Sequence, residues 1–79
     1  MVTNQTINFK FDWGEAVKVV DSAPKRYSDI QEGSVCGIRE IDNDSVAKDF
    51  QESIGSVLYL VEGSDGSAIE IPEKYLILL

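Results

Sequence analysis

The sequence predicts a small, mostly β domain: a barrel or sandwich of five to six short strands with one short inserted helix. Its 79 residues leave room for one hydrophobic core, so residues 1–79 are expected to form a single domain. Short runs of β-branched and aromatic residues are separated by turns containing glycine or proline, and only one segment shows helical periodicity. The short length favours a barrel.

Two strands are predicted near the N-terminus. Apolar and polar side chains alternate in residues 7–11, which is the pattern of a half-buried strand. After a turn at residues 12–14, residues 15–20 are rich in β-branched side chains, which a pleated sheet favours. Pro24 ends this run, because proline cannot donate a hydrogen bond to a neighbouring strand.

A long loop, a strand and a helix are predicted in the middle of the chain. Residues 25–33 are polar and predict a loop, whereas residues 34–41 predict a strand. Gly37 lies inside this strand and indicates a β-bulge or the close approach of another backbone.

The helix is predicted within residues 43–55. Val46, Phe50 and Ile54 recur at a spacing of four and form one helical stripe. One of the polar residues 43–45 would cap its start, and Gly55 stands where a terminating glycine belongs.

The last third predicts a hairpin and a closing strand. In order, we expect a strand, a glycine-rich loop, a strand, a single helical turn and a final strand at residues 57–62, 63–67, 68–71, 73–75 and 76–79. Pro72 separates the hairpin from the turn. The first strand of the hairpin is expected to be central, although an exposed edge would let it pair with a second copy.

The charge balance bears on the kind of partner. There are 14 acidic and 7 basic side chains, so the formal net charge is -7. This field repels phosphate backbones and argues against direct nucleic-acid binding. It favours encounter with a basic protein, although the same charge also simply keeps a small domain in solution.

Enzymatic machinery is nearly absent. The chain has no histidine, so no Ser-His or Cys-His dyad can form, and no carboxylate lies where the sequence predicts burial. We therefore predict a protein that is not an enzyme and needs no cofactor. Cys36 lies between Val35 and Gly37 in an apolar strand, which favours a small buried hydrophobe over a reactive thiol.

Two loops lack the residues that a ligand site would need. Residues 42–45 look like the start of a calcium loop, but Ala47 and Ser53 replace its glycine and its bidentate glutamate. Residues 63–66 lack the lysine and helix of a phosphate-binding loop, and Asp65 would repel phosphate. No metal or phosphate site is predicted.

The expected location is the cytoplasm. The longest apolar stretches, residues 57–61 and 75–79, fall short of the roughly 20 residues that a spanning helix needs. The N-terminal residues show no signal-peptide pattern, and a single unpaired cysteine suits a reducing compartment. We expect no membrane partner.

The end of the chain resembles SH3 domains. After the hairpin, Ile71-Pro72-Glu73-Lys74-Tyr75-Leu76 resembles the proline-led single turn and tyrosine that precede the last SH3 strand. This resemblance implies a small SH3-like barrel. The acidic, aromatic-rich signature that binds PxxP peptides is not evident near the N-terminus, so that activity is not expected.

A second resemblance covers most of the chain from Phe9 onward. It rests on an ordered set of short motifs: Gly14-Glu15-x-Val17-x-Val19, Ala23-Pro24, Tyr27, Gly33-Ser34-Val35-Cys36-Gly37-Ile38, Tyr59-Leu60-Val61-Glu62, Asp65-Gly66 and Glu70-Ile71-Pro72-Glu73. This order resembles bacterial polymorphic-toxin immunity proteins of immunity family thirty-one, which are small and mostly β. Residues 44–54 are the least family-like part. The resemblance implies a protein that neutralises a cognate toxin by direct binding in the producing cell.

The leading hypothesis is thus an immunity protein that binds a basic, nuclease-type toxin. Its expected contacts are acidic residues of the long loop and the helix region, with two aromatic residues: Asp29, Glu32, Asp42, Asp44, Asp49, Glu52, Tyr27 and Trp13. The alternative is an SH3-like adaptor or subunit-binding module, whose aromatic groove would surround Trp13 and Tyr27. Tyr59 and Tyr75 are expected in or near the core.

Overall fold

The computed structural model describes residues 9–79, which contain five strands, one α-helix and two 3-10 turns. The strands β1 to β5 are Ala16–Val19, Glu32–Glu40, Val57–Glu62, Ala68–Pro72 and Leu76–Leu78, and the helix α1 is Asp44–Phe50. The 3-10 turns are Lys25–Tyr27 and Glu73–Tyr75. The predicted mostly β fold with one short inserted helix is confirmed.

All five strands form one antiparallel sheet in the order β4-β3-β2-β1-β5. Ile71 of β4 and Leu76 of β5 come from the two outermost strands, yet both belong to the same buried cluster. The sheet therefore curls around its core, as the sheet of a small barrel does. This strand order and the turn before β5 agree with an SH3-like arrangement, and β3 lies between β4 and β2 and not at an edge, as expected.

The core is built from alternate residues of the strands. In β3, Val57, Tyr59 and Val61 belong to the buried cluster, because successive strand residues point to opposite faces. Tyr59 lies opposite Ile38 of β2 and Ile71 of β4, so three neighbouring strands meet at its ring. The remaining members of the cluster are Phe11, Val17, Val19, Tyr27, Ile30, Val35 and Leu76.

The β-bulge predicted in β2 is present. Val35 pairs with Val61 and Gly37 pairs with Leu60, which leaves Cys36 without a partner residue in β3. The prediction of a buried Cys36 is wrong, because its side chain is exposed. The extra residue of a bulge departs from the alternation of the strand, so its side chain need not face the core.

The predicted strand at residues 7–11 lies partly outside the described residues. Residues 9–11 are not in a strand. Phe11 is nevertheless buried, and Phe9 is exposed. The backbone of this segment bonds to a side chain instead of a neighbouring strand: the N–H groups of Lys10 and Phe11 donate to the Tyr59 hydroxyl.

The Tyr59 hydroxyl joins three parts of the chain. It accepts hydrogen bonds from the N–H groups of Lys10 and Phe11 at 2.9 and 3.2 Å, and donates to the Glu73 carboxylate at 2.5 Å. The Phe11 ring packs edge-on against the Tyr59 ring, with centroids 5.2 Å apart. Burial, followed by the hydrogen bond to Glu73, raises the pKa of Tyr59 to about 12. The N-terminal segment and the second 3-10 turn are thereby fixed to β3.

The helix is shorter than residues 43–55. Asn43 caps its start, with its side-chain oxygen accepting a hydrogen bond from the Val46 N–H at 2.9 Å. It ends at Phe50 because Gln51 adopts the left-handed conformation, with φ 56°, and the Glu52 N–H returns to the Ala47 carbonyl. Gly55 therefore does not end the helix. It has φ 98° in the following turn, where its N–H donates to Ile41.

The other connections follow the predicted order with small shifts. The long loop contains the first 3-10 turn and ends earlier than expected, since β2 begins at Glu32. The hairpin loop between β3 and β4 is closed by the Gly63 N–H, which donates to the Ser67 carbonyl at 2.9 Å. Among residues 9–79 no helix is long and apolar enough to cross a membrane.

The Tyr59 contacts predict that the chain loses stability when the Tyr59 hydroxyl is removed. Tyr59→Phe leaves the Phe11 N–H and the Glu73 carboxylate without this partner, so we expect the free energy of unfolding to fall by about 2 kcal/mol. Urea unfolding followed by circular dichroism measures it. Tyr27→Phe is the matched control, because the Tyr27 hydroxyl makes no hydrogen bond within residues 9–79. This substitution should lower the free energy of unfolding by less than Tyr59→Phe does. Equal losses would contradict this role.

Stability should also decline in alkali. The folded chain holds the Tyr59 proton more tightly than the unfolded chain, whose tyrosine pKa is near 10, so raising the pH favours unfolding. We expect the free energy of unfolding to fall by roughly 2 to 3 kcal/mol between about pH 10 and pH 12. In Tyr59→Phe, the free energy of unfolding should fall less steeply with pH. An unchanged pH dependence would show that Tyr59 is not its cause.

Candidate protein-binding surface

The candidate surface lies at the end of the sheet where β2 begins and β3 ends. Gly33 brings these strands close together, because a Cβ atom there would overlap the Glu62 carbonyl oxygen and lie 2.8 Å from the Val61 side chain. The antiparallel register then places Ser34 opposite Glu62. This approach carries Glu32, next in the chain to Gly33, towards the end of β3.

Four carboxylates surround this end, and we call them the acidic groove: Asp29, Glu32, Glu62 and Asp65. Asp29, Glu32 and Asp65 line one depression between the long loop and the hairpin loop. Glu32 and Glu62 line an adjoining depression, which extends to Ala16 and Leu79. The two depressions share Glu32 and the loop residues 63–64, so they adjoin each other.

The hairpin loop holds Asp65 as an ionised hydrogen-bond acceptor. Its carboxylate accepts bonds from the Ser67 hydroxyl at 2.7 Å and from the Ser67 N–H at 3.0 Å. These bonds lower the pKa of Asp65, with the hydroxyl contributing most. The loop thus presents a fixed negative charge at neutral pH.

Within the part of the chain that the structure describes, most carboxylates form no ion pair. Within residues 9–79 there are three ion pairs, Arg26 with Asp49, Arg39 with Glu70 and Lys74 with Glu52. Three of the 14 acidic side chains are thus paired, which leaves 11 without an ion pair in that range. All four members of the acidic groove are among these 11.

The structure divides the predicted acidic contacts into separate groups. Asp29 and Glu32 are exposed and lie in the acidic groove. Asp42 and Asp44 are also exposed, but they lie past the far end of β2. The nine residues of β2 span roughly 26 Å at about 3.3 Å per residue, so these two pairs do not form one cluster.

Asp49 and Glu52 attach the helix region to the barrel. The guanidinium of Arg26 lies over the rings of Tyr27 and Phe50 and donates to the Asp49 carbonyl oxygen at 2.7 Å. The Glu52 side chain is only 9% exposed and lies 3.0 Å from the Lys74 ammonium, which raises the pKa of Lys74. The Glu52 carboxylate is thus engaged within the chain, whereas the Asp49 carboxylate is 69% exposed and lies 3.9 Å from the Arg26 guanidinium.

The two predicted aromatic contacts are also separated. Tyr27 is only 3% exposed and packs against Tyr75, with ring centroids 5.6 Å apart, so it belongs to the core. Trp13 lies in the turn before β1 and is 64% exposed. The proposed aromatic groove around both residues is therefore not present, because burial removes the Tyr27 ring from the surface.

Sequence reasoning missed Glu62 and Asp65. Both follow from pairing β2 with β3 as antiparallel neighbours, since the start of one strand then meets the end of the other. Among residues 9–79, no group of three histidine, cysteine, aspartate or glutamate side chains could hold a metal ion, and no charged side chain is fully buried. The acidic groove is thus an exposed, anionic surface suited to cationic side chains.

The close approach at Gly33 predicts that even a methyl group is costly there. Gly33→Ala would force β2 away from β3 at the acidic groove, and we expect the free energy of unfolding to fall by about 2 kcal/mol. Ser34→Ala, at the next and exposed position, should change it by no more than about 0.5 kcal/mol. Thermal and urea unfolding compare the two variants, and a tolerated Gly33→Ala would refute the packing argument.

Comparisons of this chain with protein-family models, with curated proteins and with solved structures found no match.

Proposed function

We propose that this protein binds a cognate, basic, nuclease-type toxin domain and neutralises it by direct contact. The observation that carries the proposal is the acidic groove, where four carboxylates that form no ion pair within residues 9–79 border two adjoining depressions. A nuclease needs a cationic surface to hold its phosphate substrate. A protein that covers this surface with carboxylates competes with the substrate for it.

The charge distribution supports a protein partner over a nucleic acid. Arg26, Arg39 and Lys74 are engaged in ion pairs with carboxylates, so they add little net positive potential to the surface. The four remaining lysines are outnumbered by the 11 carboxylates that form no ion pair within residues 9–79. Such a surface accelerates encounter with a cationic protein and slows encounter with RNA or DNA.

Inhibition of this kind requires no chemistry from the chain. The proposal assigns no catalytic residue and no cofactor to it, and places its action in the cytoplasm of the producing cell. Binding alone suffices when the covered surface is the one that the toxin's substrate must reach.

Trp13 supports a second candidate, an adaptor that binds peptides or a subunit of a larger assembly. Its ring is 64% exposed in a turn beside β2, where the Gly14 N–H donates to the Val35 carbonyl. Large exposed aromatic side chains are enriched at binding surfaces. Tryptophan fluorescence during titration with proline-rich peptides tests this candidate, and an unchanged spectrum counts against it.

The direct test of the proposal is an affinity pull-down with the tagged chain from the native host's lysate, at low and high salt, followed by mass spectrometry. The expected result is a basic toxin domain, retained in near-equimolar amount at low salt and inactivated by this chain in a nuclease assay. Reproducible recovery of a housekeeping complex instead would reject the immunity proposal and favour the adaptor.

Matched charge reversals localise the interface. Asp29→Lys with Glu32→Lys changes the net charge as much as Asp42→Lys with Asp44→Lys, at the opposite end of β2. We expect the first pair to slow association with the captured toxin by about tenfold at low salt, and the second by about twofold. Both effects should shrink as salt is added. Stopped-flow kinetics measures them, and equal slowing would mean that net charge acts rather than the acidic groove.

A further inference from the structure

The strand β5 lies at one edge of the sheet that residues 9–79 form. Within residues 9–79 it pairs only with β1, and the order of the strands places it last. Edge strands normally carry charges or proline that prevent further pairing, but β5 and Leu79 carry neither. Ile77, Leu78 and Leu79 are 45, 58 and 64% exposed, so the edge is also apolar.

The hydrogen-bonding pattern leaves both backbone groups of Leu78 directed away from β1. The Leu79 N–H donates to the Ala16 carbonyl, and the Val20 N–H donates to the Tyr75 carbonyl. Ala16 with Leu79 and Val20 with Tyr75 are therefore hydrogen-bonded pairs. Such pairs alternate along an antiparallel ladder, so Lys18 with Ile77, midway between these two, is also a hydrogen-bonded pair. Leu78 lies opposite Val17 in a non-hydrogen-bonded pair, so its N–H and C=O point to the open edge.

The open edge is continuous with the acidic groove. Leu79 and Ala16 line the same depression as Glu32 and Glu62. Lys18 is the cation nearest this edge in the register, and it lies opposite Glu32 of β2. A partner that reaches β5 therefore meets apolar side chains first. The carboxylates lie beyond β1, past Lys18 in the middle of that strand and past Ala16 at its Leu79 end.

We propose that β5 receives an extended segment of the partner as an additional strand, with apolar side chains along residues 77–79 and basic side chains towards Glu32 and Glu62. This inference rests on the proposed function for the identity of the partner. An extended segment is the occupant that pairs with the Leu78 groups facing away from β1, which have no partner within residues 9–79, and a cationic one satisfies the nearby carboxylates. A second copy of this chain, with a net charge of -7, would instead bring like charges together.

The test uses a capped octapeptide that alternates lysine with valine or threonine, and a control peptide in which glutamate replaces lysine. Each is titrated into the isotopically labelled full chain and followed by nuclear magnetic resonance. The lysine peptide should shift the amide signals of residues 76–79 and slow hydrogen exchange at Leu78 by at least tenfold. The glutamate peptide should do neither.

Two proline variants separate the edge from the fold. Leu78→Pro removes only the N–H that faces the open edge, so it should weaken peptide binding at least tenfold while the melting temperature stays nearly unchanged. Ile77→Pro removes an N–H that faces β1 and should lower the melting temperature. Should Leu78→Pro prove unstable, Leu78 methylated at its backbone nitrogen, introduced by chemical ligation, tests the same donor.

The outcomes distinguish this inference from the proposed function. Wild-type binding by Leu78→Pro, or shifts confined to the acidic groove, would overturn docking on β5 and leave the groove as a cation-binding surface. Self-association through β5 in sedimentation experiments would assign the edge to a second copy and equally overturn it. Peptide binding at β5, together with a pull-down that yields no basic toxin, would support the edge and reject the immunity function.

Discussion

The buried hydroxyl of Tyr59 is the point on which the arrangement of this small barrel depends. The ring occupies the centre of β3, and its oxygen reaches the backbone before β1 and the carboxylate of Glu73 before β5. Segments distant in the sequence are therefore held by one polar atom inside an apolar cluster. A chain of 79 residues without a disulfide has few other means to fix its N-terminal segment against the sheet.

The carboxylates of this protein divide by what they contact. Glu52, Asp49 and Glu70 each pair with a cation of the same chain and attach one element to another. Those around the acidic groove pair with no cation in residues 9–79, although Gly33 lets the strands beneath them pack tightly. The charge in these ion pairs is thus neutralised locally, whereas four of the 11 carboxylates without an ion pair in residues 9–79 lie together where β2 meets the hairpin loop.

Local sequence patterns predicted the strands and turns well. The pairing of distant segments determined which side chains are buried and which carboxylates lie close together. Alternation and turn residues predicted β1, the hairpin and the turn before β5, because period and backbone restriction are properties of short segments. The exposure of Cys36 and the burial of Tyr27 depend on a bulge and on packing between distant residues, which no local pattern contains. The sequence predicts Asp29 and Glu32 as candidate contacts, whereas Glu62 and Asp65 come close to them only through the pairing of the strands.

The helix α1 has a further consequence for how this protein tolerates sequence change. None of its residues, from Asp44 to Phe50, is fully buried, and it connects two strands that pair directly with each other. Substitutions on its outer surface therefore cost little folding energy, whereas those in β3 disturb the core. The sequence of α1 can therefore vary while the core constrains the sheet. Changes in α1 could give the barrel a new binding specificity without altering its fold.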